Sequence, residues 1–305
     1  MTAVRTGVMP VAPTVFAPDE SLDLDGQRRV MRFLVDAGVD AVCVLANYSE
    51  QFSLSDDERL EVLEASIDAV GGRVPVNVTT SHFSARIAAE RSRQAQERGA
   101  DMVMLMAPFF GTTVRCGEDD VVEYFKRVAD GLEIDVMIQD APMSATPLSV
   151  PLLARIAREV PQVRYAKIEV PRTAQKIRDL AAAAADDLPG LYDGEEAVTL
   201  IPDLQAGAIG TMCSALLPDL LGPVLDSYLA GDADTAVDAW EHALPLIQFE
   251  NRQCGLRAAK AVLASGGVIA SDTCRAPFED ITAQTRAALL EMARRRDLLA
   301  LRWAD

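Results

Sequence analysis

The sequence has few of the side chains that bind transition metals. It contains only two histidines, His82 and His242, and none of its five cysteines is part of a CxxC pair. A zinc site needs about four such ligands at close spacing, so we predict no metal. An odd number of scattered cysteines is typical of free thiols in a reducing compartment rather than of a disulfide framework.

Long apolar runs and an excess of positive charge are also missing. No stretch approaches the roughly 18 to 20 uncharged apolar residues that span a bilayer, and residues 1–9 lack the apolar core of a signal peptide. The net charge of −17 argues against nucleic acid or an anionic membrane as a partner. We therefore predict a cytoplasmic protein. A small anionic substrate remains compatible with this charge, because a local cluster of donors can outweigh a distant acidic surface.

Lysine is scarce as well, which makes the position of each lysine informative. The 29 basic residues include only four lysines: Lys126, Lys167, Lys176 and Lys260. Lys126 and Lys176 fall in polar helical stretches and are expected on solvated faces, whereas Lys260 lies in a later helical segment. Lys167 alone lies inside an apolar strand pattern.

The sequence does contain a regular alternation of short apolar runs and amphipathic stretches. The apolar runs predict eight strands, at residues 8–16, 41–46, 74–80, 102–108, 135–142, 163–169, 191–194 and 209–215. Helical patterns between them include residues 23–37, 55–70, 84–98, 119–131, 149–159 and 171–185. Parallel neighbours need a crossover, so this order predicts an α/β fold, a (β/α)8 TIM barrel. A doubly wound open sheet is the structural alternative, and the lack of a GxGxxG motif after the first strand argues against its dinucleotide-binding form.

Three more helical segments follow the eighth strand, near residues 218–229, 232–265 and 281–298. One of them completes the barrel. The others predict a C-terminal helical extension that packs on the barrel or on a neighbouring subunit. We therefore expect a barrel over residues 1–230 and an extension over residues 231–305.

Polar residues at the C-terminal ends of the strands are the first candidates for an active site in such a barrel. The buried ammonium group of Lys167 would be costly, and the usual relief is a lowered pKa that leaves a neutral amine. A neutral amine there is a nucleophile toward carbonyl groups. The alternative is a structural salt bridge of Lys167 with Glu169 or Glu195.

The turn after the second strand offers several hydrogen-bond donors. Asn47, Tyr48 and Ser49 could together hold a carboxylate, since N–H and O–H groups of one turn can converge on an anion. Glu50 is expected to brace this turn, and Ser55 to cap the following helix. Gln139, Thr80 and His82, at the ends of two other strands, are further candidates for substrate contact.

Several of these motifs carry a resemblance to a known family. They are Pro13-Thr14 at the end of strand one, the residues 47–50 where the family has a GTTGE-like turn, the APFF run at residues 107–110 in place of a PYY-like motif, and Lys167 in strand six. In order and spacing, the chain resembles the dihydrodipicolinate synthase/N-acetylneuraminate lyase superfamily over nearly its whole length. The resemblance implies a Schiff base on Lys167, substrate carboxylate contacts from the 47–49 turn, and a homo-oligomer, either a tetramer or a dimer. We expect no cofactor, since the lysine supplies the electron sink.

Two departures from the family pattern concern proton transfer. The tyrosine that the family commonly has at the end of strand five is Gln139 here, and a second tyrosine, often lent by a neighbouring subunit, is Phe110. An amide and a phenyl ring cannot shuttle protons as a phenol does. Segments such as IQDAP, KIEVP and DGEEA instead resemble a dehydratase subgroup. This implies dehydration of a 2-keto-3-deoxypentonate to 2-oxoglutarate semialdehyde.

In that reaction Glu169 is the candidate acid and base, because residues i and i+2 of a strand point to the same face. It could also serve only as an ion-pair partner that orients Lys167. Two other functions stay open. One is a retro-aldol lyase acting on the same 2-keto sugar acids, and the other is a non-catalytic sugar-acid binder.

Overall fold

The structure is a computed structural model that describes residues 4–109, 116–184 and 186–304. Phe110 lies outside the described residues. Eight strands alternate with helices along the chain. The strands are β1 (Gly7–Val8), β2 (Val42–Val44), β3 (Val76–Thr79), β4 (Met102–Met106), β5 (Asp135–Asp140), β6 (Val163–Ile168), β7 (Gly190–Asp193) and β8 (Gly210–Thr211). The helices are α1 (Leu24–Asp36), α2 (Asp56–Val70), α3 (Ala85–Glu97), α4 (Glu118–Ala129), α5 (Val150–Glu159), α6 (Thr173–Ala184), α7 (Leu200–Ala206), α8 (Pro218–Leu229), α9 (Ala233–Phe249), α10 (Arg257–Ser265) and α11 (Ala283–Arg295).

The chain divides into two compact units. The first comprises Met1–Thr6, Asn77–Glu195 and Thr199–Met212, and the second comprises Gly7–Val76, Glu196–Val198 and Cys213–Asp305. The first unit therefore holds β4 to β8 with nearly all of β3. The second holds β1, β2 and the helices from α8 onward. The expected division into a barrel at residues 1–230 and an extension at residues 231–305 stays a prediction.

The first unit is built on parallel strands in the order β3-β4-β5-β6-β7-β8. Runs such as MVMLM in β4 are buried at every position. Continuous apolar runs of this kind are typical of parallel strands that are covered on both faces. The register places Gln139 of β5 and Tyr192 of β7 on either side of Lys167 in β6.

Local capping explains where several helices begin. The Ser55 hydroxyl accepts a hydrogen bond from the Glu58 backbone N–H, and the Glu58 carboxylate accepts one from the Ser55 N–H. This reciprocal arrangement satisfies two donors at the start of α2, as the sequence predicts. Helix α7, with seven residues, is too short for its periodicity to stand out in the sequence. It ends at Gly207, whose positive φ of 113° suits a residue without a side chain.

In the second unit, Val11 makes isolated parallel bridges to Cys43 and to Ser214. The late helical segments predicted from the sequence are present. The segment predicted at residues 232–265 consists of α9 and α10 with a π-helical turn, Glu250–Cys254, between them. Within the ranges that the structure describes, no helix combines the length and apolarity that crossing a membrane requires.

Candidate active site

Lys167 and Glu169 lie at the C-terminal end of β6 and form an ion pair. Their spacing of two residues places both side chains on the same face of the strand. The Lys167 side chain is 4% exposed and that of Glu169 is 12% exposed. The sequence left open whether Lys167 pairs with Glu169 or Glu195, and the structure places the carboxylate of Glu169 at its amine.

Gln139 of β5 completes this cluster. Its Nε2 donates to both carboxylate oxygens of Glu169, at 3.2 Å to Oε1 and 3.3 Å to Oε2. A carboxylate only accepts hydrogen bonds, so the amide nitrogen, not its oxygen, must face Glu169. The buried Oε1 of Gln139 receives no hydrogen bond from any described residue. It can therefore accept one from a hydroxyl of a bound molecule.

Gly194, which the sequence analysis did not single out, lies against the same two side chains. A Cβ atom at this position would stand 2.5 Å from Cγ of Glu169 and 2.9 Å from Cγ of Lys167. The Gly194 N–H donates to the Ile168 carbonyl at 3.0 Å, which holds the turn after β7 against β6. The lysine and the glutamate can lie side by side here because this position has no side chain.

Asp140, the residue after Gln139, forms an ion pair with a second lysine, Lys176. Lys176 of α6 approaches the Asp140 carboxylate at 2.6 Å and donates to the Leu148 carbonyl at 2.5 Å. Burial is the main cause that raises the pKa of Asp140. The expectation of a solvated Lys176 is wrong, because the helix face that carries it packs toward the end of β5. A cleft of ≈ 470 Å³ lies beside this pair.

Thr80 and His82 follow β3 but are engaged elsewhere. The Thr80 hydroxyl is 2.8 Å from the Ser92 hydroxyl of α3, so its side chain packs against that helix. His82 Nδ1 accepts from the Ser84 N–H at 2.9 Å, and the imidazole stacks on Phe83 with ring centroids 4.4 Å apart. Tyr124 donates to the His82 carbonyl at 2.7 Å. The structure does not bring these two candidates together with Lys167, and their substrate contacts stay predictions.

In the second unit, the predicted 47–49 turn is a short 3-10 helix, Asn47–Ser49. The Ser49 hydroxyl donates to the Ala12 carbonyl at 2.6 Å and accepts from the Ala46 N–H at 3.0 Å. Thr14 donates to the Ser49 carbonyl at 2.6 Å. The hydroxyl of Ser49 thus holds the turn together.

The other two residues of this turn are half-buried. The side chain of Asn47 accepts a hydrogen bond from the Gln51 amide at 2.6 Å. The predicted contact of Asn47, Tyr48 and Ser49 with a substrate carboxylate stays a prediction.

Glu50 ends the turn in a left-handed backbone conformation with φ of 56° and forms an ion pair with Lys260 of α10. Neither side chain has measurable exposure. Lys260 also donates to the Thr273 carbonyl at 2.8 Å, and the Arg275 N–H donates to Glu50 at 2.9 Å. The prediction that Glu50 braces the turn agrees with this geometry.

Over residues 4–109, 116–184 and 186–304, no group of three or more histidine, cysteine, aspartate or glutamate side chains is arranged to hold an ion. The functional groups that the structure brings together at the end of β6 are the amine of Lys167, the carboxylate of Glu169 and the amide of Gln139.

Comparison with known proteins gives consistent similarities. Residues 5–295 match the Dihydrodipicolinate synthetase family. The L-2-keto-3-deoxyarabonate dehydratase of Azospirillum brasilense is 49% identical over 99% of this chain and 98% of its own length. The 4-hydroxy-tetrahydrodipicolinate synthase of Acidothermus cellulolyticus is 29% identical over 93% of this chain and 90% of its own.

A solved structure extends the comparison to the fold. A prophage protein of the dihydrodipicolinic acid synthase family from E. coli K12, in complex with pyruvate, superposes with a TM-score of 0.89 at 24% identity. The match covers 97% of this chain and 100% of that one. The predicted (β/α)8 fold class and the predicted family resemblance are confirmed.

Proposed function

Because the chain belongs to the dihydrodipicolinate synthetase family, we propose that it is a Schiff-base dehydratase converting 2-keto-3-deoxy-L-arabonate to 2-oxoglutarate semialdehyde. The observation that carries this proposal is the cluster of one amine, one carboxylate and one amide formed by Lys167, Glu169 and Gln139. The 49% identity to a dehydratase of that substrate supports the choice of reaction and substrate.

The first step is imine formation. Glu169 takes a proton from the ammonium group of Lys167 as the substrate enters, which leaves an amine that can attack a ketone. The nitrogen bonds to C2 of the keto acid, and the carbonyl oxygen departs as water. The proton on Glu169 leaves with this water, so the product is a protonated imine next to the Glu169 carboxylate.

The second step is elimination. The iminium group withdraws electrons and acidifies the protons on C3. After its carboxyl proton has passed to the departing water, Glu169 removes one C3 proton, and the electron pair forms an enamine. The enamine expels the C4 hydroxyl, which takes the proton back from Glu169 and leaves as water. One carboxyl group thus serves as base and then as acid.

Gln139 suits this double role for two reasons. Its amide N–H group holds the Glu169 carboxylate on the side of Lys167, at 3.2 and 3.3 Å. Its Oε1, which has no donor among the described residues, can receive a hydroxyl of the sugar acid and so align the C4–O bond.

The final steps need no further group from the protein beyond proton transfer. Elimination leaves a double bond between C3 and C4; loss of a proton from C5 and gain of one at C3 convert it to the C5 enol. The enol tautomerises to an aldehyde, and hydrolysis of the imine releases the semialdehyde and restores Lys167. The iminium serves as the electron sink, so we propose that the reaction uses no cofactor. We also expect a cytoplasmic homo-oligomer, a tetramer or a dimer, from the family resemblance.

Dehydration is favoured over retro-aldol cleavage by the residue at the end of β5. Cleavage requires a base that removes the proton of the C4 hydroxyl, and the family commonly has a tyrosine at this position. Gln139 has no proton that can be transferred at neutral pH. Its amide can bind a hydroxyl but cannot deprotonate it.

Incubation with 2-keto-3-deoxy-L-arabonate tests the proposal directly. We expect the semialdehyde as the product, measured by oxidation with a coupled aldehyde dehydrogenase and by mass spectrometry. Pyruvate and glycolaldehyde would instead identify a lyase and reject dehydration.

A second measurement tests the role of Lys167. Borohydride reduction in the presence of pyruvate, followed by peptide mass spectrometry, is expected to place the adduct on Lys167 and not on Lys260. Lys167→Arg should lose both adduct and turnover, whereas Lys126→Arg, a change at a half-exposed helix position, should keep both. Absence of any adduct on the wild-type protein would favour a non-catalytic binder.

A further inference from the structure

A second pair of acidic side chains lies behind the turn that carries Gly194. Asp193 is the last residue of β7 and Asp203 lies in α7, and both are fully buried. Each accepts a hydrogen bond from a threonine: Thr211 donates to Asp193 Oδ2 at 2.5 Å, and Thr199 donates to Asp203 Oδ2 at 2.8 Å. This network plays no part in the mechanism above.

The two carboxyl groups also act on each other, because the charge of Asp193 and hydrogen bonding with it are among the causes that raise the pKa of Asp203. The buried Oδ1 of Asp203 finds no N–H or O–H donor among the described residues. Two ionised carboxylates are both acceptors and repel each other, whereas one shared proton gives Asp203 Oδ1 a partner. Burial, followed by the negative charge of Asp193, raises the pKa of Asp203 to about 8.

The hydrogen bonds of Asp193 connect this pair to the active site. Its Oδ1 accepts from the Glu195 N–H at 3.3 Å, which fixes the residue that follows Gly194. Gly194 in turn donates to Ile168 at 3.0 Å and leaves no space between its Cα atom and the side chains of Lys167 and Glu169. A displacement of Asp193 would therefore move the backbone that confines these two groups.

We propose that Asp193 and Asp203 share one proton in the active enzyme, and that this acid pair positions the Gly194 turn against Lys167 and Glu169. Asp193 and Asp203 are positioning residues, because they act through the turn and not on the substrate. The inference rests on the proposed function of Lys167 and Glu169, and it adds a pH-dependent support for their geometry.

The sign of the pH effect follows from the raised pKa of Asp203. The folded protein holds this proton up to about pH 8, whereas in an unfolded chain the aspartate has its ordinary pKa of 3.8 and releases the proton there. The contribution of this group to the free energy of unfolding is therefore greatest at low pH, and it is lost as the pH rises toward about 8. The charged groups that face Asp203 are Asp193 and Glu195, both acidic, so neither can compensate for its ionisation.

The test is Asp203→Asn, which replaces the protonated acid by an amide that donates to Asp193 at every pH. Above about pH 8, kcat/KM of the wild type should fall by about tenfold per pH unit, as for loss of one essential proton. The variant should keep kcat/KM within about threefold of its neutral value up to pH 9. An unchanged alkaline limb in Asp203→Asn would overturn the proposal.

Two further measurements separate this proposal from the proposed reaction, because neither depends on turnover. The infrared C=O band of protonated carboxyl groups at pH 7 should lose the intensity of one group in Asp203→Asn, while Glu250, whose pKa burial raises to about 8, contributes to the band in both proteins. The pH dependence of the unfolding temperature between pH 6 and pH 9 should flatten in the same variant. An identical infrared band in both proteins would refute the shared proton even if the dehydratase assay succeeds.

Asp219→Asn is the matched control. Burial also raises the pKa of Asp219, but this side chain lies in the first turn of α8 and accepts from the Leu299 N–H at 2.9 Å. In this variant kcat/KM should still fall above about pH 8, as it does in the wild type. Loss of the limb in both variants would show that any buried acid suffices, and would overturn the specific role of Asp203.

Discussion

Replacement of Lys260 by methionine is expected to destabilise the protein strongly. Lys260 and Glu50 form an ion pair in which neither side chain is exposed. Methionine has a similar length and leaves little cavity, so the main effect is the loss of the positive charge. Glu50 then keeps the Arg275 N–H, at 2.9 Å, as a donor but has no positively charged partner at its Oε1.

The magnitude follows from the cost of an uncompensated buried charge. Removing one partner of a buried ion pair typically costs about 3–5 kcal/mol. The aromatic ring of Phe16, with its centroid 4.5 Å from the Lys260 amine, loses a cation–π contact in addition. For a chain of this size we expect the unfolding temperature to fall by about 6–10 °C.

Lys126→Met is the control for a lysine that is lost from a surface. The Lys126 amine is 2.6 Å from Glu159, but the two side chains are 42% and 34% exposed. Such a pair contributes roughly 0–1 kcal/mol to the free energy of unfolding, so the unfolding temperature of Lys126→Met should differ from that of the wild type by about 2 °C or less. Thermal unfolding at several scan rates would separate an equilibrium effect from a kinetic one.

The double variant Glu50→Gln/Lys260→Met completes the comparison. If each single variant is destabilised because it leaves one buried charge without its partner, the double variant should be more stable than the sum of the two losses predicts. We expect this difference in the free energy of unfolding to be about 0.5–3 kcal/mol. A Lys260→Met variant no less stable than Lys126→Met would refute the reasoning. Fully additive losses would show that packing, and not charge, is responsible.

Two further predictions concern other contacts. Gly194→Ala should lower kcat by at least about tenfold while the protein stays folded by circular dichroism, because its Cβ would stand 2.5 Å from Glu169 and 2.9 Å from Lys167; unaltered kcat would show that the turn is free to move. A hydrogen bond from Arg275 lowers the pKa of Glu58 to about 2, so this pair stabilises the protein above about pH 4.5 and less as the pH falls. The difference in unfolding temperature between wild type and Glu58→Gln should therefore shrink toward low pH, and a constant difference would contradict this.

The parts of the fold and site that follow from local sequence could be predicted. The apolar runs of the strands and the amphipathic periods between them indicate a (β/α)8 order, and the caps at Ser55 and Ser149 mark two helix starts. The placement of Lys167 beside Glu169 follows from strand alternation, because side chains two residues apart in a strand point to the same face. Gln139 could be placed because it ends the neighbouring strand of a parallel sheet.

The parts that depend on distant residues could not be predicted. Lys260 and Glu50 are separated by 210 positions, and nothing local in either segment indicates the other. Asp193 and Asp203 are close in sequence, but the short helix between β7 and β8 that brings them together has too few residues for a periodic signal. The sequence predicts that Thr80 follows a strand, as it does, but the direction of its side chain toward Ser92 depends on the packing of β3 against α3.

The exposure of the partner carboxylate differs between the lysines and bears on the proposed role of Lys167. Three of the four lysines pair with a carboxylate that is largely or fully buried: Lys167 with Glu169, Lys176 with Asp140, and Lys260 with Glu50. Burial of the lysine therefore does not identify a nucleophile. Glu50 has no exposed surface and Asp140 has 5%, whereas Glu169 keeps 12%. Of the three carboxylates, Glu169 keeps the largest exposed fraction, which supports the proposal that Lys167 is the amine that reacts with a keto acid.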